Sequence, residues 1–157
     1  MKKVVCVLLI LCIFPVFAFA SDLDDVLFDF NIYAEILGAP KLEGTPDISD
    51  KATFTMITYK ISEHLFAGFY EQNGKINSGF VACYDSENEG DFLALSAAHL
   101  WHFCGVADGM DAYMLLLSDF FDARQGKETD TAPVGNVLIS TGSIKNGGLS
   151  FICTMID

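Results

Sequence analysis

The sequence has few basic residues. Its 157 residues include nine lysines and arginines against 21 aspartates and glutamates, which gives a formal net charge of −12. Nucleic-acid backbones and anionic membrane surfaces both attract positive charge, so neither is an expected partner. A cationic partner would be attracted instead, although the charge would also serve simply to keep the protein soluble.

Motifs of catalysis and nucleotide binding are also absent. The chain contains no G-x-S-x-G, no P-loop and no G-x-G-x-x-G, the patterns that place a nucleophile or a phosphate-binding turn. Cys104 follows His102 by two residues, but no glycine-rich oxyanion turn surrounds it. Nothing therefore argues for an enzyme, although none of this excludes one. The first hypothesis is a small binding module for a protein or an apolar small molecule, with no predicted cofactor.

Long apolar runs are absent except at the N-terminus. Two lysines precede an apolar run at residues 4–17, and Ala18 and Ala20 then supply small residues at positions −3 and −1 of a cleavage site. This layout predicts a secretory signal peptide over residues 1–20 and a periplasmic or extracellular location. The mature chain, residues 21–157, is expected to form one domain that does not span a membrane. Its net charge is −14, because cleavage removes both N-terminal lysines.

Segments with a helical pattern and segments with a strand-like composition alternate along the mature chain. Spacings of three and four predict helices over residues 23–37 and 107–124, and the long apolar run at residues 91–104 predicts a core helix packed on the sheet. Segments rich in β-branched and aromatic residues predict three strands between residues 51 and 84 and two between 136 and 156. The order α-β-β-β-α-α-β-β predicts an α+β, two-layer domain, with an antiparallel sheet of about five strands and the helices on one face. This order is similar to that of small secretion-chaperone-like domains, a similarity of element order alone.

Two Asn-Gly pairs predict tight hairpins. If Asn73-Gly74 is a two-residue turn, Gly68 faces Gly79 on the neighbouring strand. Glycine inside a strand often marks the close approach of a ligand or of another backbone. Gly68 and Gly79 are therefore candidate ligand-binding residues, and the favoured alternative is that a helix packs tightly there. The second turn is predicted at Asn146-Gly147.

The helix over residues 91–104 contains two of the three histidines and the only tryptophan. On a helical wheel, Ser96, His99 and His102 form one strip, which is expected to lie near water or to be hydrogen-bonded within a polar seam. Trp101 lies roughly opposite and is predicted to be a core anchor, or a ligand-binding residue if it proves to be exposed. His99 and His102 are candidate ligands for zinc or copper, which makes a metal-binding protein or metal-dependent enzyme the second hypothesis.

The turn from Asp85 to Gly90 resembles the start of a calcium loop. However, glutamates stand at its third and fifth positions, and Ser96 stands where the bidentate glutamate belongs, so a solvated turn is favoured over calcium. A third hypothesis, an acidic inhibitor of a cationic hydrolase, depends on charge and export alone.

Three cysteines remain after cleavage. An oxidising compartment would permit one disulfide. Cys83 and Cys153 fall in predicted strands, so they are the expected pair, with Cys104 left as a buried thiol. The alternative is that all three are small buried hydrophobic residues.

Overall fold

The computed structural model describes residues 23–127, 129, 131–144 and 147–156. The predicted signal peptide, residues 1–20, lies outside these residues, as does Asn146 of the second predicted turn. The described elements follow the order α1 (Leu23–Leu37), β1 (Asp47–Asp50), β2 (Thr55–Lys60), β3 (Leu65–Gln72), β4 (Lys75–Cys83), α2 (Glu89–Arg124), β5 (Ala132–Val134), β6 (Val137–Ile144) and β7 (Gly148–Met155).

All seven strands form one antiparallel sheet in the order β1-β2-β3-β4-β7-β6-β5. The predicted α+β class is confirmed, but the prediction of about five strands is wrong. The core lies between the helices and one face of the sheet, because alternate residues of the five longer strands are buried there. Its sheet side includes Ile57, Phe69, Val81, Ile139 and Phe151.

The two unpredicted strands, β1 and β5, are the edges of the sheet. β1 has the sequence Asp-Ile-Ser-Asp, and β5 has only three residues with Pro133 at its centre. Aspartate and proline are depleted in strands, so both segments read as loops in the sequence. Short edge strands with charge or proline are a common protection against pairing with another chain.

The first hairpin has the predicted turn but a different register. Asn73 and Gly74 both have positive φ angles, as a type I′ turn requires. A register shift between Tyr70 and Glu71 leaves Asn77 as an extra residue in β4. Gly68 therefore pairs with Phe80, and Gly79 pairs with Phe69. The predicted Gly68–Gly79 pair is wrong, because such a bulge moves every later pair by one residue.

Helix α2 consists of the two helices that the sequence predicts. They meet at Gly105, whose φ of 76° and ψ of 163° are not helical. The first half is buried on most sides, between α1 and the sheet, and the second half packs along the same face of the sheet. None of the helices in the described part of the chain is long and apolar enough to span a bilayer.

Candidate functional site

The side of the sheet away from the helices, which we call the open face, carries an apolar patch bordered by polar residues and by Lys60 of β2. Strand register aligns Thr58, Gly68, Phe80 and Ile152 across β2, β3, β4 and β7. Larger side chains surround this row: Met56, Phe66, Tyr70 and Tyr84. Among the described residues, no helix covers this face.

Aromatic rings contact one another across the open face. The Tyr70 ring lies 5.2 Å from Phe54 and 4.9 Å from Phe80, and the Phe66 and Tyr84 rings are 6.0 Å apart. Phe80 lies over Gly68, where an added Cβ would be 3.1 Å from Phe80 Cε1 and would overlap the Ile57 carbonyl oxygen. The absence of a side chain at Gly68 thus leaves room for the Phe80 ring.

In the described part of the chain, two shallow cavities, each more open than enclosed, lie on this face. The larger, of about 380 Å³, is mainly apolar and includes Met56, Phe66 and Tyr84 in its lining. The smaller, of about 250 Å³, adjoins Phe54, but most of its lining is polar: Gln72, Asn77, Ser78 and Thr154. Tyr70 and Ile152 line both cavities. Neither lining includes a charged side chain, and burial raises the pKa of the Tyr70 phenol further above neutral pH. The arrangement favours an uncharged ligand.

One polar atom in the larger cavity is unsatisfied. The hydroxyl oxygen of Thr58 is buried and has no hydrogen-bond partner among the described residues. A buried hydroxyl without a partner is costly, since its hydration is lost and not replaced. Thr58 could therefore hydrogen bond to a bound ligand.

Gly79 faces the helix layer, on the opposite side of the sheet from Gly68. A Cβ at Gly79 would be 2.7 Å from His99 Cγ and 2.8 Å from His99 Cε1. The favoured alternative, tight packing of a helix on the sheet, therefore applies to Gly79. Of the two glycines, only Gly68 belongs to the open face.

His99, expected on the strip near water, is fully buried. Its ring lies 4.5 Å from Phe30, 5.1 Å from Phe69 and 6.3 Å from Phe103. Neither ring nitrogen makes a hydrogen bond of good geometry with the described residues. Desolvation and the nearby His102 lower the His99 pKa to about 3, and a contact with the Phe80 backbone opposes this only in part.

The predicted orientation of the central helix is therefore wrong. Ser96, which belongs to the same strip as His99, is also fully buried. Its hydroxyl donates a hydrogen bond to the Phe92 carbonyl oxygen at 2.7 Å. Trp101, predicted as a core anchor, is only partly buried. Its ring meets Tyr33 edge-on at 6.2 Å and approaches Gly109 beyond the kink of α2.

The structure does not assemble the candidate metal sites. No group of three or more His, Cys, Asp or Glu side chains suited to a metal occurs among the described residues. His99 and His102 thus gain no third ligand there. In the calcium-like turn, the Asp85 carboxylate accepts hydrogen bonds from the Asn88 backbone at 3.0 Å and the Asn88 side chain at 2.7 Å. These hydrogen bonds hold the turn that leads into α2.

The predicted Cys83–Cys153 disulfide is wrong in this structure. Both residues are on adjacent strands and face the core, but Cys83 pairs with Leu149 and Cys153 pairs with Gly79. Four residues of offset correspond to about 13 Å along a strand, whereas a disulfide needs a Cβ separation near 3.8 Å. Both thiols are free, and so is Cys104.

Apart from Gly68, the residues of the open face are not among the candidates predicted from the sequence. A signal for them exists in β3 and β4, where Leu-Phe-Ala-Gly-Phe-Tyr and Gly-Phe-Val-Ala are apolar at consecutive positions. Strands that are apolar on both sides are typical of sheets covered on both faces. Among the described residues, helices cover only one face of this sheet. The apolar residues on its other face therefore lack the cover that such strands usually have.

Comparisons with known proteins give no relative for this chain. No family model matches it, and neither the curated proteins nor the solved structures include a significant match.

Proposed function

We propose that this protein is an exported binding module whose open face holds a small, uncharged aromatic compound. The observation that carries the proposal is the larger cavity on the open face, which has aromatic walls and, like the smaller cavity beside it, no charged lining residue. Thr58 would supply a hydrogen bond to a polar group of the ligand. No catalytic role is assigned to any residue.

The size and chemistry of the cavities support a small ligand. Ligand sites commonly enclose 300–1,000 Å³ and combine apolar walls with a few polar groups. The larger cavity has about 380 Å³, and Tyr84 and Ile152 at its margin are 50% and 37% exposed. A contiguous exposed apolar surface commonly marks a binding site, whereas single exposed apolar residues do not.

The sheet edges are less suitable for binding. A peptide that adds as an extra strand needs an edge with free backbone groups along several residues. β1 presents Asp47 and Asp50, and Pro133 in β5 has no backbone N–H to donate. The open face is therefore the better place for a ligand than either edge.

Titration with Nile red, a neutral aromatic dye with a carbonyl acceptor, tests the proposal through its fluorescence on binding. Ile152→Gln places an amide between the two cavities and should weaken binding about tenfold, equivalent to about 1.4 kcal/mol. Phe28→Gln is the matched control, because Phe28 is an exposed apolar residue on α1. Equal binding by both variants and the wild type would contradict the proposal.

A further inference from the structure

The second half of α2 is apolar on two sides. Its inner side joins the core through Ala112, Leu116, Phe120 and Ala123. Its other side, which we call the outer stripe, consists of Val106, Met110, Met114, Leu117 and Phe121. These residues follow spacings of four, four, three and four, so they lie within about 40° of one line along the helix. Met114 and Phe121 are 62% and 61% exposed.

The outer stripe lies in a strongly acidic part of the chain. No lysine or arginine occurs between Lys75 and Arg124, a stretch that contains eight aspartates and glutamates. Asp111 and Asp122 follow one side of the stripe, at about 100–120° from Met110 on the helical wheel. Asp122 is partly neutralised by Lys127 at 2.6 Å, and Arg124, in line with the end of the stripe, is paired with Glu89 at 2.8 Å. Asp111 is exposed.

The acidic residues beside the outer stripe limit the kinds of partner that this helix face can bind. A second copy of the chain would bring another acidic margin against Asp111, and like charges across an interface disfavour association. An anionic membrane is disfavoured for the same reason. A basic amphipathic helix complements both the apolar stripe and the acidic side chains beside it. Its apolar side packs on the stripe, and its cations face the acidic margin.

We propose that the outer stripe is a docking surface for a basic amphipathic helix of a partner protein. The stripe from Val106 to Phe121 is about 22 Å long, which matches a partner helix of about 15 residues. Methionine side chains adapt to different apolar surfaces, so Met110 and Met114 suit partners of varied sequence. The stripe lies in the helix layer, away from the open face, and the inference does not depend on ligand binding there.

Fluorescence anisotropy with a rhodamine-labelled peptide of leucine and lysine, about 16 residues long, tests this docking. The leucines follow the spacing of the stripe, and a second peptide has glutamate in place of every lysine. We expect the lysine peptide to bind the wild type, and Met114→Gln plus Phe121→Gln to weaken binding at least tenfold. The glutamate peptide should not bind.

The matched control is Phe28→Gln plus Ile36→Gln, which removes two apolar side chains of similar exposure from α1. This control should bind like the wild type, and circular dichroism should show that both double variants remain folded. Failure of the lysine peptide to bind, or equal binding to both double variants, would overturn the proposal. The proposal would also be overturned if sedimentation showed that the wild type is a dimer and that the Met114→Gln plus Phe121→Gln variant is a monomer.

Discussion

The imidazole of His99 lies directly on Gly79, where a side-chain carbon would stand 2.7 Å from His99 Cγ. Since Gly79 is in β4 and His99 is in the first half of α2, this contact sets how closely the helix approaches the sheet. The ring fills the space that a side chain at Gly79 would otherwise occupy.

Gly79→Ala should therefore destabilise the protein. Overpacking of a core typically costs about 1–3 kcal/mol, and the added methyl group meets a ring held by aromatic neighbours. Gly90→Ala is the control, because Gly90 is in the first turn of α2 with nothing within 4 Å of an added Cβ. It should be neutral or stabilising by up to about 1 kcal/mol. Urea unfolding measures the stability of both variants.

The double variant Gly79→Ala plus His99→Ala should be destabilised by less than the sum of the two single variants, because each single change affects the same contact. Simple additivity would contradict the contact.

Stability should decrease in mild acid because of the buried histidines. Burial lowers the pKa of His99 to about 3, below its ordinary value of 6.5. The unfolded chain therefore binds more protons than the folded protein below about pH 6.5, so stability is lost as the pH falls from there toward about 3. His102, whose pKa is lowered to about 4, contributes less because its side chain is partly exposed.

Urea midpoints at about pH 7.5 and about pH 5 measure this loss before most carboxylates are protonated. His99→Leu should reduce the difference between the two midpoints, because leucine binds no proton. His64→Leu, at an exposed position, is the matched control for replacing a histidine with leucine. The same pH dependence in the wild type and in His99→Leu would show that His99 is not responsible.

All three thiols should be alkylated after unfolding without a reductant. The four-residue offset separates Cys83 from Cys153 along adjacent strands. Burial raises the pKa of Cys104 to about 11 and raises the pKa values of Cys83 and Cys153 as well, so reaction should be slow in the folded protein. Peptide mapping of protein from its native compartment measures the pattern, and a Cys83–Cys153 peptide would contradict this register.

Zinc should not stabilise the protein through His99 and His102. A site filled at one hundred times its dissociation constant would add about 2.7 kcal/mol, yet His99 is enclosed by phenylalanine rings. Thermal unfolding with zinc and with a chelator should give the same midpoint. The variant His99→Ala plus His102→Ala is the control for zinc bound elsewhere. Stabilisation that occurs in the wild type and disappears in this variant would restore the metal hypothesis.

Local signals in the sequence predict the main elements well. The span of α1, the Asn73-Gly74 turn and the break of α2 near Gly105 all follow from residues close to one another in the chain. The edge strands were missed because β1 and β5 form only by pairing with β2 and β6, against the local preferences of aspartate and proline.

Positions that depend on distant contacts were predicted less well. The first half of α2 is apolar on most sides, so its wheel cannot show that His99 faces the sheet, where Gly79 leaves room for the ring. The bulge at Asn77 has no clear local signal, and it changed the partner of Gly68. The open face was missed because consecutive apolar residues in β3 and β4 do not reveal which side the helices cover.

Amide chemical shifts during titration with Nile red test the central claim most directly, because they locate the ligand on the fold. We expect the largest changes at Thr58, Tyr70 and Ile152 and much smaller ones along α1 and α2. Thr58→Val, which removes the unpartnered hydroxyl but retains the branched shape, should bind the dye more weakly at the same place. Changes confined to the helices, or no saturable change at all, would contradict the assignment of the open face as a binding site.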